Sequence, residues 1–130
     1  MRFTVNELLQ AGSHKWKESE VDAVTMRNLK DLCAKLNKLG FVPPRIATSC
    51  LRSLADQKRI NPSAMGSSHL YGAAVDIADS DGKLKSWLQT DAGNLALINC
   101  GLWMEDPKST NGWIHLSIYM PNSGSRVFIP

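Results

Sequence analysis

The sequence predicts a small domain of the α+β class, and three observations carry that prediction. Residues 19 to 39 repeat apolar side chains at spacings of three and four, as an amphipathic helix does, whereas residues 113 to 119 alternate strictly, as a half-buried strand does. Both patterns fall within 130 residues at 43% hydrophobic content. That length suits one globular domain over 1–130, able to bury a sizeable core without covalent staples.

Taken in order, Thr4 followed by Glu7 ahead of Leu8 and Leu9 is a capping-box pattern and predicts a short helix ended by Ala11-Gly12-Ser13. The amphipathic helix follows. Val21, Val24, Leu29, Leu32, Cys33, Leu36 and Leu39 form its apolar face; Ser19 is its expected N-cap, and Gly40 supplies the left-handed C-terminal conformation. Pro43-Pro44 makes a stiff connection to a strand over 45–51, with Arg52 directly after it. Residues 53–67 are a long excursion containing one helical piece, Leu54 to Ile60. In 73–78 Val75 and Ile77 alternate with Ala74 and Asp76, which predicts a strand with Asp76 on the face away from the core. Residues 80–90, with Ser80 as a cap, and 92–100, ending at Gly101, read as one or two helices, the second apolar enough to pack under a sheet. Strands are expected at 102–105, 113–120 and 126–129, the first two separated by the loop 106–112.

The net charge of +3 gives a mild bias towards anionic partners. Lysines and arginines are nevertheless interleaved with acids, without a basic stripe carrying aromatics, so nucleic-acid binding is not expected. With no apolar leader and no long apolar run, the expectation is a protein made in the cytosol without a membrane span, taken as a monomer. Cys33, Cys50 and Cys100 are odd in number and flanked by apolar residues, which predicts buried free thiols.

The chemistry concentrates in His69, Asp76 and His115. Two imidazoles and one carboxylate form a donor set that Zn²⁺ accepts while keeping a fourth position open. Gly72 and Ala74 are small where backbone or a ligand must come close, and His115 shares the polar face of its strand with Trp113, Ser117 and Tyr119. His14 stands in a polar stretch with no such partners.

These residues carry a resemblance. Ser67-Ser68-His69-Leu70-Tyr71-Gly72-Ala73-Ala74-Val75-Asp76 resembles the S-x-H-x-x-G-x-A-x-D motif of the zinc D-Ala-D-Ala carboxypeptidase and L-alanyl-D-glutamate peptidase family, and Trp113-Ile114-His115 is similar to its closing W-x-H motif. Thr48-Ser49-Cys50-Leu51-Arg52-Ser53 looks like that family's strand leading to an arginine, so the resemblance runs from about Pro44 to Tyr119. It implies the fold of the Hedgehog metal-binding domain and the DD-peptidases: a central antiparallel sheet flanked by helices and holding one zinc ion. It further implies that His69, Asp76 and His115 ligate the zinc and that Arg52 holds the substrate near the scissile bond; a structural salt bridge is the alternative for Arg52. Ser67 is then an orienting residue. The implied substrate is a peptidoglycan stem peptide, cut by a phage or prophage protein at lysis or during penetration of the wall.

One departure matters. Many family members have an acid three positions before the last histidine, where this chain has Gly112. If 102–105 pairs with the His115 strand, Glu105 shares a face with Trp103 as His115 does with Trp113, and it becomes the candidate general base, with Asp106 second. Trp103, Trp113 and Tyr119 are then expected to wall the cleft, and Trp87 to belong to the core. The competing expectation, which Gly112 allows, is a metal-containing binding or structural virion module without turnover.

Overall fold

The computed structural model describes residues 3–40, 46–63 and 66–128. Pro43, Pro44 and Arg45 of the expected connection and first strand, and Ile129 of the last, lie outside them. Helix α1 (Val5–Gln10) starts where the capping pattern predicts, with Thr4 accepting from the Glu7 N–H. Helix α2 (Ala23–Leu39) does not start after Ser19. The Asp22 carboxylate takes the Thr25 N–H at 2.7 Å, a charged cap, and Glu18–Glu20 form a separate 3-10 turn. Val24 therefore falls in the first turn, 61% exposed, while Leu29, Leu32, Leu36 and Leu39 are buried. Gly40 ends the helix in the left-handed region, as expected.

Five strands, β1 (Ala47–Ser49), β2 (Ala74–Ala78), β3 (Trp103–Glu105), β4 (Trp113–Ser117) and β5 (Val127–Phe128), form one sheet in the order β1-β2-β4-β3-β5. The first four run antiparallel, and β5 adds a parallel edge on β3. The domain is thus α+β, with an antiparallel sheet flanked by helices. On one sheet face Val75, Ile77, Met104, Ile114 and Leu116 pack with the leucines of α1 and α2 in one continuous core. The pleat turns Asp76 and His115 to the other face.

Helix α3 (Leu54–Ile60) matches its predicted span, capped by Ser53. The region 80–100 resolves into two helices, α4 (Lys83–Leu88) and α5 (Asp91–Cys100). Ser80 is not the cap of α4: the buried Asp79 carboxylate accepts from Leu84 N and Lys85 N, at 3.0 and 2.8 Å. Only part of α5 packs inward, Leu97 being buried while Leu95 and Ile98 are half exposed. Trp87 lies partly buried against the core. All three cysteines are buried free thiols, and burial, with the Asp76 charge adding, pushes the Cys50 thiol up to about 12. No helix among the described residues is long and apolar enough to cross a membrane.

Gly93 lets α5 rest directly on the end of α4: a Cβ there would stand 2.0 Å from the Trp87 carbonyl oxygen and 2.6 Å from Leu88 Cα. Backbone cannot yield as a flexible side chain does. Gly93→Ala is expected to destabilise the protein by about 1–3 kcal/mol, as overpacking does. Gly66→Ala, where a Cβ meets nothing within 4 Å, should stay within about 0.5 kcal/mol of the parent in urea unfolding.

Candidate metal centre

The antiparallel register of β2 and β4 sets Asp76 directly opposite His115 on the polar face of the sheet. His69 arrives from a 3-10 turn, Ser68–Tyr71, that leads into β2. Ser67 opens this turn by accepting the His69 N–H at 3.3 Å. Gly72 closes it at φ +68°, and a Cβ there would come within 2.9 Å of Leu29 Cγ and 3.1 Å of the Thr25 carbonyl. The small residue is required by the approach of α2.

Three donors converge. Asp76 Oδ1 lies 2.9 Å from His115 Nδ1 and 3.2 Å from His69 Nε2, and the ligand atoms of the three residues all fall within 4.8 Å of one another. His69 Nδ1 is 2.6 Å from the Cys50 carbonyl oxygen. A carbonyl only accepts, so Nδ1 carries the proton, and in the neutral ring Nε2 turns a lone pair towards a carboxylate oxygen. Two acceptors face each other there, and only a proton or a cation between them relieves the repulsion. Burial pushes the His69 pKa down against the pull of Asp76, which disfavours the proton. The residues therefore fit a metal cation, and this buried group can hold one. Burial also opposes the charge on Asp76, but the hydrogen bond from His115 leads the contacts that hold the carboxyl well below the usual range.

Arg52, just beyond β1, donates from Nη2 to Asp76 Oδ2 at 3.0 Å. Its Nε donates to Ser49 Oγ at 3.1 Å and its Nη1 to Gln57 Oε1 at 3.2 Å. The guanidinium thus has the geometry of the structural salt bridge, although it also lines the cavity in front of the three donors. That cavity holds about 470 Å³, and Glu105 and Trp113 are in its wall. Glu105 gets there because β3 pairs Trp103 with Ser117 and Met104 with Leu116, so one further step brings it to His115. Glu105 Oε2 is 4.0 Å from His115 Nδ1. Burial pushes its pKa up; His115 opposes this, and Asp76 and Asp106 add to it. Asp106 instead caps the 3-10 turn Pro107–Ser109, accepting from Lys108 N at 3.0 Å.

Two of the three aromatics expected at the cleft are elsewhere. Trp103 lies beneath the Arg126 guanidinium, 3.7 Å from its carbon, and the Tyr119 hydroxyl accepts from Asn28. His14 is paired with Glu20 at 3.5 Å and stacked edge-on with Trp16. Gln57, only 1% exposed and facing the cavity, is a participant that sequence reading passes over, because a lone glutamine in a short helix carries no periodic signal.

No protein-family model, curated protein or solved structure matches the chain. What speaks for the chemistry of this site is the convergence of its own side chains. One divalent transition-metal ion per chain is expected to bind and to raise the thermal unfolding midpoint, by about 2.7 kcal/mol of stabilisation when free metal is about 100 times Kd. Asp76→Asn should weaken binding by more than about 100-fold, beyond what outer-shell changes usually do. Thermal unfolding with and without added metal reads the stabilisation, and a chromogenic chelator competition reads the stoichiometry and the affinities.

Proposed function

We propose that the protein is a zinc-dependent peptidase that cleaves a peptidoglycan stem peptide. The observation that carries this reading is the meeting of His69, Asp76 and His115 on an open cavity whose wall includes a carboxylate, Glu105, 4.0 Å from His115. Two imidazoles and a carboxylate suit several divalent transition metals; the motif resemblance selects zinc among them. It also supplies the substrate class and the setting, a phage or prophage enzyme acting on the cell wall at lysis or during its penetration.

Zinc held by these three residues supplies Lewis acidity, which polarises a peptide carbonyl and makes water more acidic. Glu105 Oε2 takes a proton from the attacking water and returns it to the leaving amine nitrogen as the C–N bond breaks, completing hydrolysis. Trp113 gives the cavity an apolar wall. A second cavity of about 380 Å³, mostly apolar, shares Arg52 with the first and offers room for neighbouring residues of an extended peptide. Arg52 can still meet substrate from the cavity wall while bonded to Asp76.

A second reading, a metal-containing wall-binding module without turnover, is favoured by Gly112. Its φ is +80°, a conformation that an acidic side chain rarely adopts, so the loop before β4 is not shaped to carry the acid usual in the resembled family.

Digestion of defined muropeptides, read by mass spectrometry with and without chelator, separates the two. New amine termini are expected from the zinc-loaded protein and none after chelation. Glu105→Gln should cut kcat by about 10²–10⁴-fold while keeping the metal. A zinc-loaded wild type that releases no termini leaves the binding module standing, and an equally fast Glu105→Gln variant removes Glu105 from the mechanism.

A further inference from the structure

The deepest polar group in the cavity wall that the proposed reaction does not use is Gln57. It is 1% exposed, and its Oε1 accepts from Arg52 Nη1 at 3.2 Å while its Nε2 donates to the Asn61 carbonyl at 3.4 Å. The Asn61 carbonyl is the end of α3, so the orientation of the amide is fixed: nitrogen towards the helix terminus, oxygen towards the arginine. From the other side Ser49 Oγ receives the Arg52 Nε donor at 3.1 Å. The Arg52 backbone is also tied in, its N–H donating to the His69 carbonyl at 3.1 Å. A flexible side chain is thereby held at both ends of its guanidinium and at its base. The remaining edge points Nη2 at Asp76 Oδ2, 3.0 Å away.

We propose that Ser49, Gln57 and Arg52 form a clamp that occupies Asp76 Oδ2 and so presents Asp76 to the metal through Oδ1 alone. The geometry has one consequence for ligation. Oδ1 is the oxygen that faces His69 Nε2 and His115 Nδ1, at 3.2 and 2.9 Å, and Oδ2 is already engaged. A one-oxygen carboxylate with two imidazoles makes a three-ligand set that leaves a coordination position open, as catalytic zinc sites do. A carboxylate free to swing and bind through both oxygens fills that position. Gln57 and Arg52 are positioning residues in this account, acting on the metal through Asp76. The clamp concerns the metal centre and stands independently of whether the site turns over a peptide.

The test uses the full chain loaded with zinc for affinity and with cobalt for spectroscopy. Gln57→Leu keeps the volume and removes the acceptor; Arg52→Lys keeps the charge and removes the planar fork. Each is expected to weaken zinc binding by about 10–100-fold, the usual effect of outer-shell loss. Each should also alter the visible d–d spectrum of the cobalt form, as the carboxylate changes its mode. Gln57→Glu, which restores an acceptor for Arg52, is expected to recover both the affinity and the parent spectrum. Variants that fold as judged by circular dichroism, yet bind zinc with wild-type affinity and show the parent cobalt spectrum, overturn the clamp alone. Failure of Gln57→Glu to recover either property overturns it too, by reducing Gln57 to a packing residue. A wild type that binds neither metal overturns the clamp and the metal centre together.

Discussion

A carboxylate buried to 6% exposure is the constraint around which this molecule is arranged. Removing the charge of Asp76 from water costs several kcal/mol unless it is compensated by charge and hydrogen bonds. The compensation comes from two directions, His115 across the sheet and Arg52 beyond β1, while His69 faces the same carboxylate from the turn before β2. Each of the three is fixed by something else, His69 by the Cys50 carbonyl, Arg52 by Ser49 and Gln57, His115 by the strand pairing. A cation between the imidazoles and Oδ1 completes the set electrostatically.

The same strands that carry the site also build the core. In β2 and β4, Val75, Ile77, Ile114 and Leu116 face the helices, while Asp76 and His115 face the cavity. A slip of one residue in this register exchanges the two faces. Burial of the aliphatic set therefore enforces the pairing of Asp76 with His115, and the site inherits the rigidity of the sheet. The turn bearing His69 is seated likewise, through the close approach of Gly72 to Leu29 and Thr25 of α2.

An acid reaches His115 from β3, a different strand from the loop position where Gly112 stands. Adjacent antiparallel strands bring side chains of one face within about 5 Å, so Glu105 of β3 stands beside His115 of β4. The row Asp76, His115, Glu105 crosses three neighbouring strands in this way, and Arg52 from the segment after β1 extends it, so the character runs from guanidinium to carboxylate to imidazole to carboxylate.

Much of this was legible in the residues themselves. Period-two alternation placed Asp76 and His115 opposite the core, capping chemistry placed α1 and the end of α2, and the share of strand and helix patterns fixed the α+β class, because each is a local property of a few side chains. Local signals misled where two caps competed: Asp22 displaced Ser19 and Asp79 displaced Ser80, since a carboxylate holds a helix N-terminus more strongly than a hydroxyl. The parallel edge strand β5, the departure of Trp103 and Tyr119 from the cleft, and the burial of Gln57 beside Arg52 were settled only in three dimensions. They depend on which elements become neighbours. The sequence alone determined which side chains could serve as metal donors; the tertiary structure decided that they meet on one oxygen of Asp76, because only strand register and turn packing control distances between residues far apart in the chain.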